Sequence, residues 1–190
     1  MIQRCAWANT SDIYIKYHDE EWGVPLHDDI KLFGYLVLEG AQAGLSWLTI
    51  LKRRENYKEA FMDFDPKLVA SFTTQDIESL LKNPGIIRNK LKIESVVSNA
   101  KRYLEIQKEY GSFNNYQWQF VDGQPIQNHR RNMSEIPAET ELAITFSKDL
   151  IMCGFKFVGP KIIYAHMQAT GMVNDHVISC FRYKEIAKLK

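Results

Sequence analysis

The chain has almost no net charge and only three cysteines. It also has no apolar run approaching the roughly 20 residues that a helix needs to cross a bilayer. That last absence argues against a membrane protein. The N-terminal Met1-Ile2-Gln3-Arg4-Cys5 lacks the apolar segment of a secretory signal, so the expected location is the cytoplasm. Cys5, Cys153 and Cys180 are odd in number and, in a reducing compartment, are expected to be free or metal-bound rather than paired. A net charge of +1 excludes a strong overall attraction to nucleic acid. No stretch of useful length alternates with the period of two that strands require, and there is no repeat or low-complexity tract.

What is present is helical. With 190 residues, 45% of them hydrophobic, the chain can bury one substantial core, and it is read as a single all-α domain over 1–190. Ser11-Asp12 caps a short helix bearing Tyr14, Tyr17 and His18, and Trp22-Gly23-Val24-Pro25 reads as a turn. Helices are expected over about 29–43, 46–61, 65–70, 73–81, from Arg88 onward, 139–152 and 160–170. Residues 111–140, broken by Gly111, Gly123, Pro125 and Pro137, are expected to be an irregular connector.

The segment from Tyr35 to Trp47 holds an oddity. Leu32, Phe33, Leu36, Val37, Gly40 and Ala43 recur at helical spacing. At about 100° per residue, Glu39 lies about 20° from Leu32 and about 40° from Ala43, at the edge of the apolar face. A carboxylate there needs a partner if it is buried. Gly44 permits a tight turn, and Trp47 follows as a flat aromatic plate. Together they suit a pocket for something flat and electron-poor. The plainer alternative is that Glu39 reaches solvent or a lysine, and that Trp47 is core.

Charge is unevenly spread. Residues 1–40 hold three cations against seven anions, whereas residues 82–108 hold seven cations against two. The second stripe covers Asn83-Pro84-Gly85-Ile86-Ile87, a tight turn between two helices, with Arg88 at the start of the second. This has the form of a helix-hairpin-helix, in which glycine allows close approach and free amides can take a phosphate. Ordinary helical bundles contain such pairs too, and a basic run is often only a solvated face.

His176 and Cys180 are four apart and would point the same way on a helix, capped by Asn174-Asp175. Cys5 and His18 supply a matching pair near the other end. Two Cys and two His suit tetrahedral zinc. With four protein ligands no coordination position is left for water, so such an ion would be structural, tying the chain's ends together. The alternative is that these side chains simply pack. His166 is read as a packing or capping residue.

Several motifs together resemble one family. They are Cys5-Ala6-Trp7, Tyr14 through Pro25, Leu38 through Trp47, Lys52 through Tyr57, Phe64-Asp65-Pro66, Gly85 through Arg88, Gly154 through Gly159, and Val173 through His176. In that order, and over nearly the whole chain, they resemble the 3-methyladenine DNA glycosylase I family. Departures are modest: Pro160 after Gly159, and the tail from Phe181.

The resemblance implies a helix-hairpin-helix base-excision enzyme. It would release 3-methyladenine from double-stranded alkylated DNA by hydrolysis and leave an abasic site. The hairpin lobe would cover about 31–110, and a zinc-bearing lobe 1–30 with 111–190. One structural zinc would be held by Cys5, His18, His176 and Cys180. Trp7, Tyr14, Tyr17, Glu39 and Trp47 would form the base pocket, with Glu39 the candidate catalytic residue. Leu45 would be the wedge filling the gap left by the flipped nucleotide. Gly85, Ile86 and Arg88 would hold the DNA backbone. A monomer with no membrane association is expected.

The chemistry is consistent with these roles. N3-methylation makes adenine cationic, so aromatic faces and a carboxylate favour it over neutral adenine. It also leaves as a neutral base, which removes the need for a strong general acid. Many helix-hairpin-helix glycosylases carry an Asp some 20 residues beyond the hairpin glycine; here that place is near Glu105, and residues 86–121 contain no Asp. Charge recognition is therefore the main role expected of Glu39. Two other readings remain: a zinc-stapled module that binds damage without cutting, and a small-molecule enzyme using Glu39 as base.

Overall fold

The computed structural model describes residues 2–189, and among them the fold is built almost entirely of helices. Helix α1 (Asp12–Glu20) follows a 3-10 turn over Ala6–Thr10; then come α2 (Asp29–Gln42), α3 (Trp47–Leu51), α4 (Arg54–Ala60), α5 (Pro66–Ala70) and α6 (Thr74–Lys82). The chain continues through α7 (Lys90–Tyr110), α8 (Phe113–Trp118), α9 (Glu141–Met152), α10 (Pro160–Ala169) and α11 (Phe181–Ile186).

Three expectations are corrected. The helix read over 46–61 is two, α3 and α4, interrupted at Lys52-Arg53. The helix read from Arg88 starts at Lys90, where the Asn89 side chain accepts from the Lys92 amide. The connector is not wholly irregular: it contains α8, 3-10 turns at Gln119–Val121 and Met133–Glu135, and β1 (Ile126–Gln127). That strand pairs in parallel with β2 (Val173–Asn174). Two residues per strand are too few for any periodicity to register in sequence.

Helix α2 is the axis of the fold. Asp28 caps it, accepting from the Lys31 amide. Asp29 then reaches sideways to accept the Phe113 and Asn114 amides at the start of α8, where a carboxylate is favoured. Its apolar residues Leu32, Phe33, Leu36 and Val37 are buried in one core with Ile93, Val96 and Tyr103 of α7, Phe146 of α9 and Ile163 and Met167 of α10. A second, smaller core gathers Cys5, Tyr17, Trp22, Leu51, Ala169, Val177 and Cys180. The carboxylate residue of interest, Glu39, is carried on α2 and packed against α10.

Gly171 locks the two chain ends together. It sits at a φ of +72°, and a Cβ there would stand 2.4 Å from the backbone of Val24 and Pro25. No side chain fits that approach.

Candidate functional site

A cavity of about 300 Å³ opens where α1, α2, α3 and α10 meet. Its lining includes all five residues expected of a base pocket: Trp7, Tyr14, Tyr17, Glu39 and Trp47. Trp7 stands edge-on to Tyr14 with ring centres 5.5 Å apart, and Tyr17 meets Trp47 at 5.7 Å. The Tyr14 hydroxyl accepts from the Leu48 amide at the start of α3, which fixes the helix carrying Trp47. Tyr17 is buried, and burial pushes its phenol well above the ordinary range.

Sequence reasoning missed the remaining wall: Trp22, Gln42, Met133, Ile136, Ala165, Gln168 and Ala169. Ala165, Gln168 and Ala169 share a face of α10 at i, i+3 and i+4, a pattern visible in the sequence but indistinguishable there from ordinary packing. Met133 and Ile136 come from the connector, which has no periodicity to read.

Glu39 is 2% exposed, and its partner is neither solvent nor lysine. Oε2 lies 2.8 Å from Nδ1 of His166, whose Nε2 lies 3.0 Å from Gln117 Oε1. The reading of His166 as a simple packing or capping residue is thus corrected; it is fully buried and bonded to Glu39. Burial pushes the Glu39 carboxyl above the usual carboxylate range, and His166 opposes that shift. Glu39 Oε1 and the Trp47 indole nitrogen are buried with no partner among the described residues. The cavity therefore joins aromatic walls to one unused acceptor and one unused donor, a combination suited to a flat molecule bearing an amino group.

Leu45 lies just past α2 and is 40% exposed, large for a leucine. Lys92 holds the approach to it. Its ammonium donates to the carbonyls of Ala41 at 2.8 Å and Ala43 at 2.6 Å, closing the C-terminus of α2. Lys92 is therefore turned inward and does not belong to an outward basic stripe, although Lys82, Arg88, Lys90, Lys101, Arg102 and Lys108 are exposed.

The hairpin differs in detail from its sequence reading. The Gly85 amide already donates to Asn83 Oδ1 at 2.8 Å, and that of Ile87 to the Tyr57 hydroxyl at 3.0 Å. The Ile86 side chain is buried, so only its backbone could meet a ligand. Glu105, at the place of the missing Asp, is exposed and paired with Arg102, and does not line the cavity.

Cys5, His18, His176 and Cys180 converge behind the aromatic wall, all buried, with one donor atom from each lying within 4.8 Å of the others. Cys5 Sγ and Cys180 Sγ lie 3.7 and 3.6 Å from His176 Nδ1, and Cys180 Sγ is 3.4 Å from His18 Nε2. These spacings match the edges of a zinc-sized tetrahedron, about 3.3–3.8 Å for bonds of about 2.0–2.3 Å. The remaining nitrogens are occupied as metal-binding imidazoles require. His18 Nδ1 meets Asp19 Oδ1 at 2.8 Å, and His176 Nε2 meets the Trp22 carbonyl at 2.9 Å. Bonding to Cys5 and to both imidazoles holds the Cys180 thiol far below its ordinary range. One expectation fails in detail: His176 and Cys180 lie on a turn before α11, not on a helix. The turn brings them together all the same.

Comparison with known proteins places these features in context. A profile described as methyladenine glycosylase matches residues 7–183. DNA-3-methyladenine glycosylase 1 of Escherichia coli (strain K12) is 47% identical over 182 residues, 96% of this chain and 97% of the relative. A crystal structure of 3-methyladenine DNA glycosylase I superposes with a TM-score of 0.92 at 48% identity, covering 94% of this chain and 98% of the other. A variant of 3-methyladenine DNA glycosylase I, determined in complex with 3-methyladenine, superposes with a TM-score of 0.91 at 41% identity, covering 94% of this chain and 96% of the other.

Proposed function

The chain belongs to the methyladenine glycosylase family, and from that premise we propose how it works. It is a DNA base-excision enzyme that hydrolyses the N-glycosidic bond of 3-methyladenine in alkylated DNA, releasing the free base and leaving an abasic site. The observation that carries this reading is the unpartnered Glu39 Oε1 in a cavity walled by Trp7, Tyr14, Tyr17 and Trp47.

A base inside the duplex is out of reach, so the nucleotide must rotate out of the stack into this cavity. Leu45, exposed on its turn, is suited to fill the space left behind. The lesion is a cation. Each aromatic face beneath it contributes about 0.5–2 kcal/mol that neutral adenine does not receive. Glu39 accepts from the exocyclic amino group with a charge-assisted bond, and the hydroxyls of Tyr14 and Tyr17 are the donors available to a ring nitrogen, that of Tyr14 using only its oxygen to accept from α3. The methylated base departs neutral, so the positive charge that selects it also weakens the bond to be cut. Glu39 carries a negative charge beside the sugar as positive charge develops there. No lysine stands among the cavity-lining residues to attack the sugar, which suits hydrolysis without strand cleavage.

The hairpin between α6 and α7 is the reading for backbone contact. Exposed Arg88 with the Ile86 and Arg88 amides would meet a phosphate, while Gly85 provides closeness. The chain is read as one catalytic domain of two lobes acting as a monomer. Cys5, His18, His176 and Cys180 would hold one zinc ion, whose role is to fasten the segment bearing Trp7 and Tyr14 to the end of the chain. Incubation with methylated duplex DNA, followed by chromatographic identification of the released base, tests the function. Release of 3-methyladenine is expected, whereas tight binding with no released base would favour a damage-binding module.

A further inference from the structure

Glu39 sits on α2, yet no group on α2 holds its carboxylate. The atom that does is His166 Nδ1 on α10, and the far side of that ring meets Gln117 on α8. Three buried side chains from three helices thus form one line ending in the cavity. Both ring nitrogens of His166 are occupied, the residue is 0% exposed, and it is not part of the cavity wall. It has no route to a bound base. Of the two carboxylate oxygens, Oε2 is held and Oε1 has no partner.

We propose that His166 is a positioning residue for base recognition, acting only through Glu39: by holding Oε2 it aims Oε1 at the base. The inference rests on Glu39 being the acceptor for the base. A purely packing residue has no reason to be polar here. His166 follows Ile163 and precedes Met167 on the buried face of α10, where leucine would need neither partner. Gln117 completes the arrangement by fixing the ring's orientation, as an outer ligand fixes a metal-binding imidazole.

The test uses two polar replacements of different reach. The amide of His166→Asn can stand where Nδ1 stands, toward Glu39, whereas that of His166→Gln reaches the Nε2 position, toward Gln117. Affinity for free 3-methyladenine is measured by tryptophan fluorescence, alongside single-turnover base release from methylated duplex and thermal melting. His166→Gln is expected to bind the base about 10- to 100-fold more weakly, the factor carried by a hydrogen bond to a charged group. His166→Asn is expected to recover most of that loss, with unmodified-duplex affinity unchanged in both. In the Glu39→Gln background, His166→Gln should cost no more than about a further twofold, because the two residues act as one unit. The proposal is overturned if Asn and Gln behave alike, or if the losses from His166→Gln and Glu39→Gln multiply. If the unaltered protein neither binds nor releases 3-methyladenine, the function itself fails, and this inference with it.

Discussion

At the scale of single residues, two requirements on Glu39 conflict. Recognition of a cation wants it ionised, and burial resists that: the carboxyl is pushed above its usual range, with His166 only partly opposing the shift. A carboxyl raised on folding stabilises the folded chain below the ordinary carboxylate range and loses that contribution as pH rises through the raised value. At neutral pH, Glu39 therefore costs stability. Glu39→Gln should melt higher at pH 7 by about 2–4 °C, if about 1 kcal/mol is relieved. The gain should vanish as the pH falls below the ordinary glutamate range. The same variant should lose base release by about 100-fold while duplex affinity stays within about twofold, as removal of the proposed charge-assisted bond to the flipped lesion requires. Calorimetry across pH and single-turnover kinetics check the two halves separately.

At the scale of elements, the α6–α7 hairpin combines a steric demand with an electrostatic one. A Cβ on Gly85 would lie 2.9 Å from the Asn56 Cβ on α4, and the Asn56 side chain also donates to the Gly85 carbonyl. Gly85→Ala must therefore push the hairpin off α4, and a loss of about 1–3 kcal/mol in denaturant titration is expected. Arg88→Ala should leave stability unchanged, because the side chain is exposed. It should weaken duplex binding equally for damaged and undamaged DNA and reduce the salt slope by about one, as loss of one phosphate contact does. A slope unchanged from the unaltered protein would remove Arg88 from the DNA interface. Nearby, Lys92 on α7 closes α2 by donating to the carbonyls of Ala41 and Ala43, which fixes the start of the turn bearing Leu45.

At the scale of the whole molecule, the far end of the chain backs the N-terminal segment that walls the cavity. Trp7 and Tyr14 lie between Cys5 and His18, and these two side chains meet His176 and Cys180 at the far end. Metal content by native mass spectrometry should be one zinc per chain. Cys180→Ala should lose it and melt lower by roughly 10 °C, because binding energy at a structural zinc is folding energy. Base affinity should fall with it, as Trp7 and Tyr14 lose their mooring. Gly171→Ala, placed against Val24 and Pro25, should weaken the same seam without touching Cys5, His18, His176 or Cys180.

The sequence alone determined the helical class, the position of α2, the five named walls of the cavity and the four convergent Cys and His residues. The class and α2 rest on local periodicity, the Cys and His set on the chemistry of its residue types, and the cavity walls as a set on the resemblance of the motifs to a known family. Only the tertiary structure decided what Glu39 pairs with, since His166 and Gln117 lie on other helices far along the chain. It also decided that Lys92 turns inward, that the Gly85 amide is already spent on Asn83, and that Met133 and Ile136 close the cavity. The physical reason is common to all of these: a hydrogen bond or a packed wall depends on distance through space. Periodicity reports only which face of its own element a residue occupies.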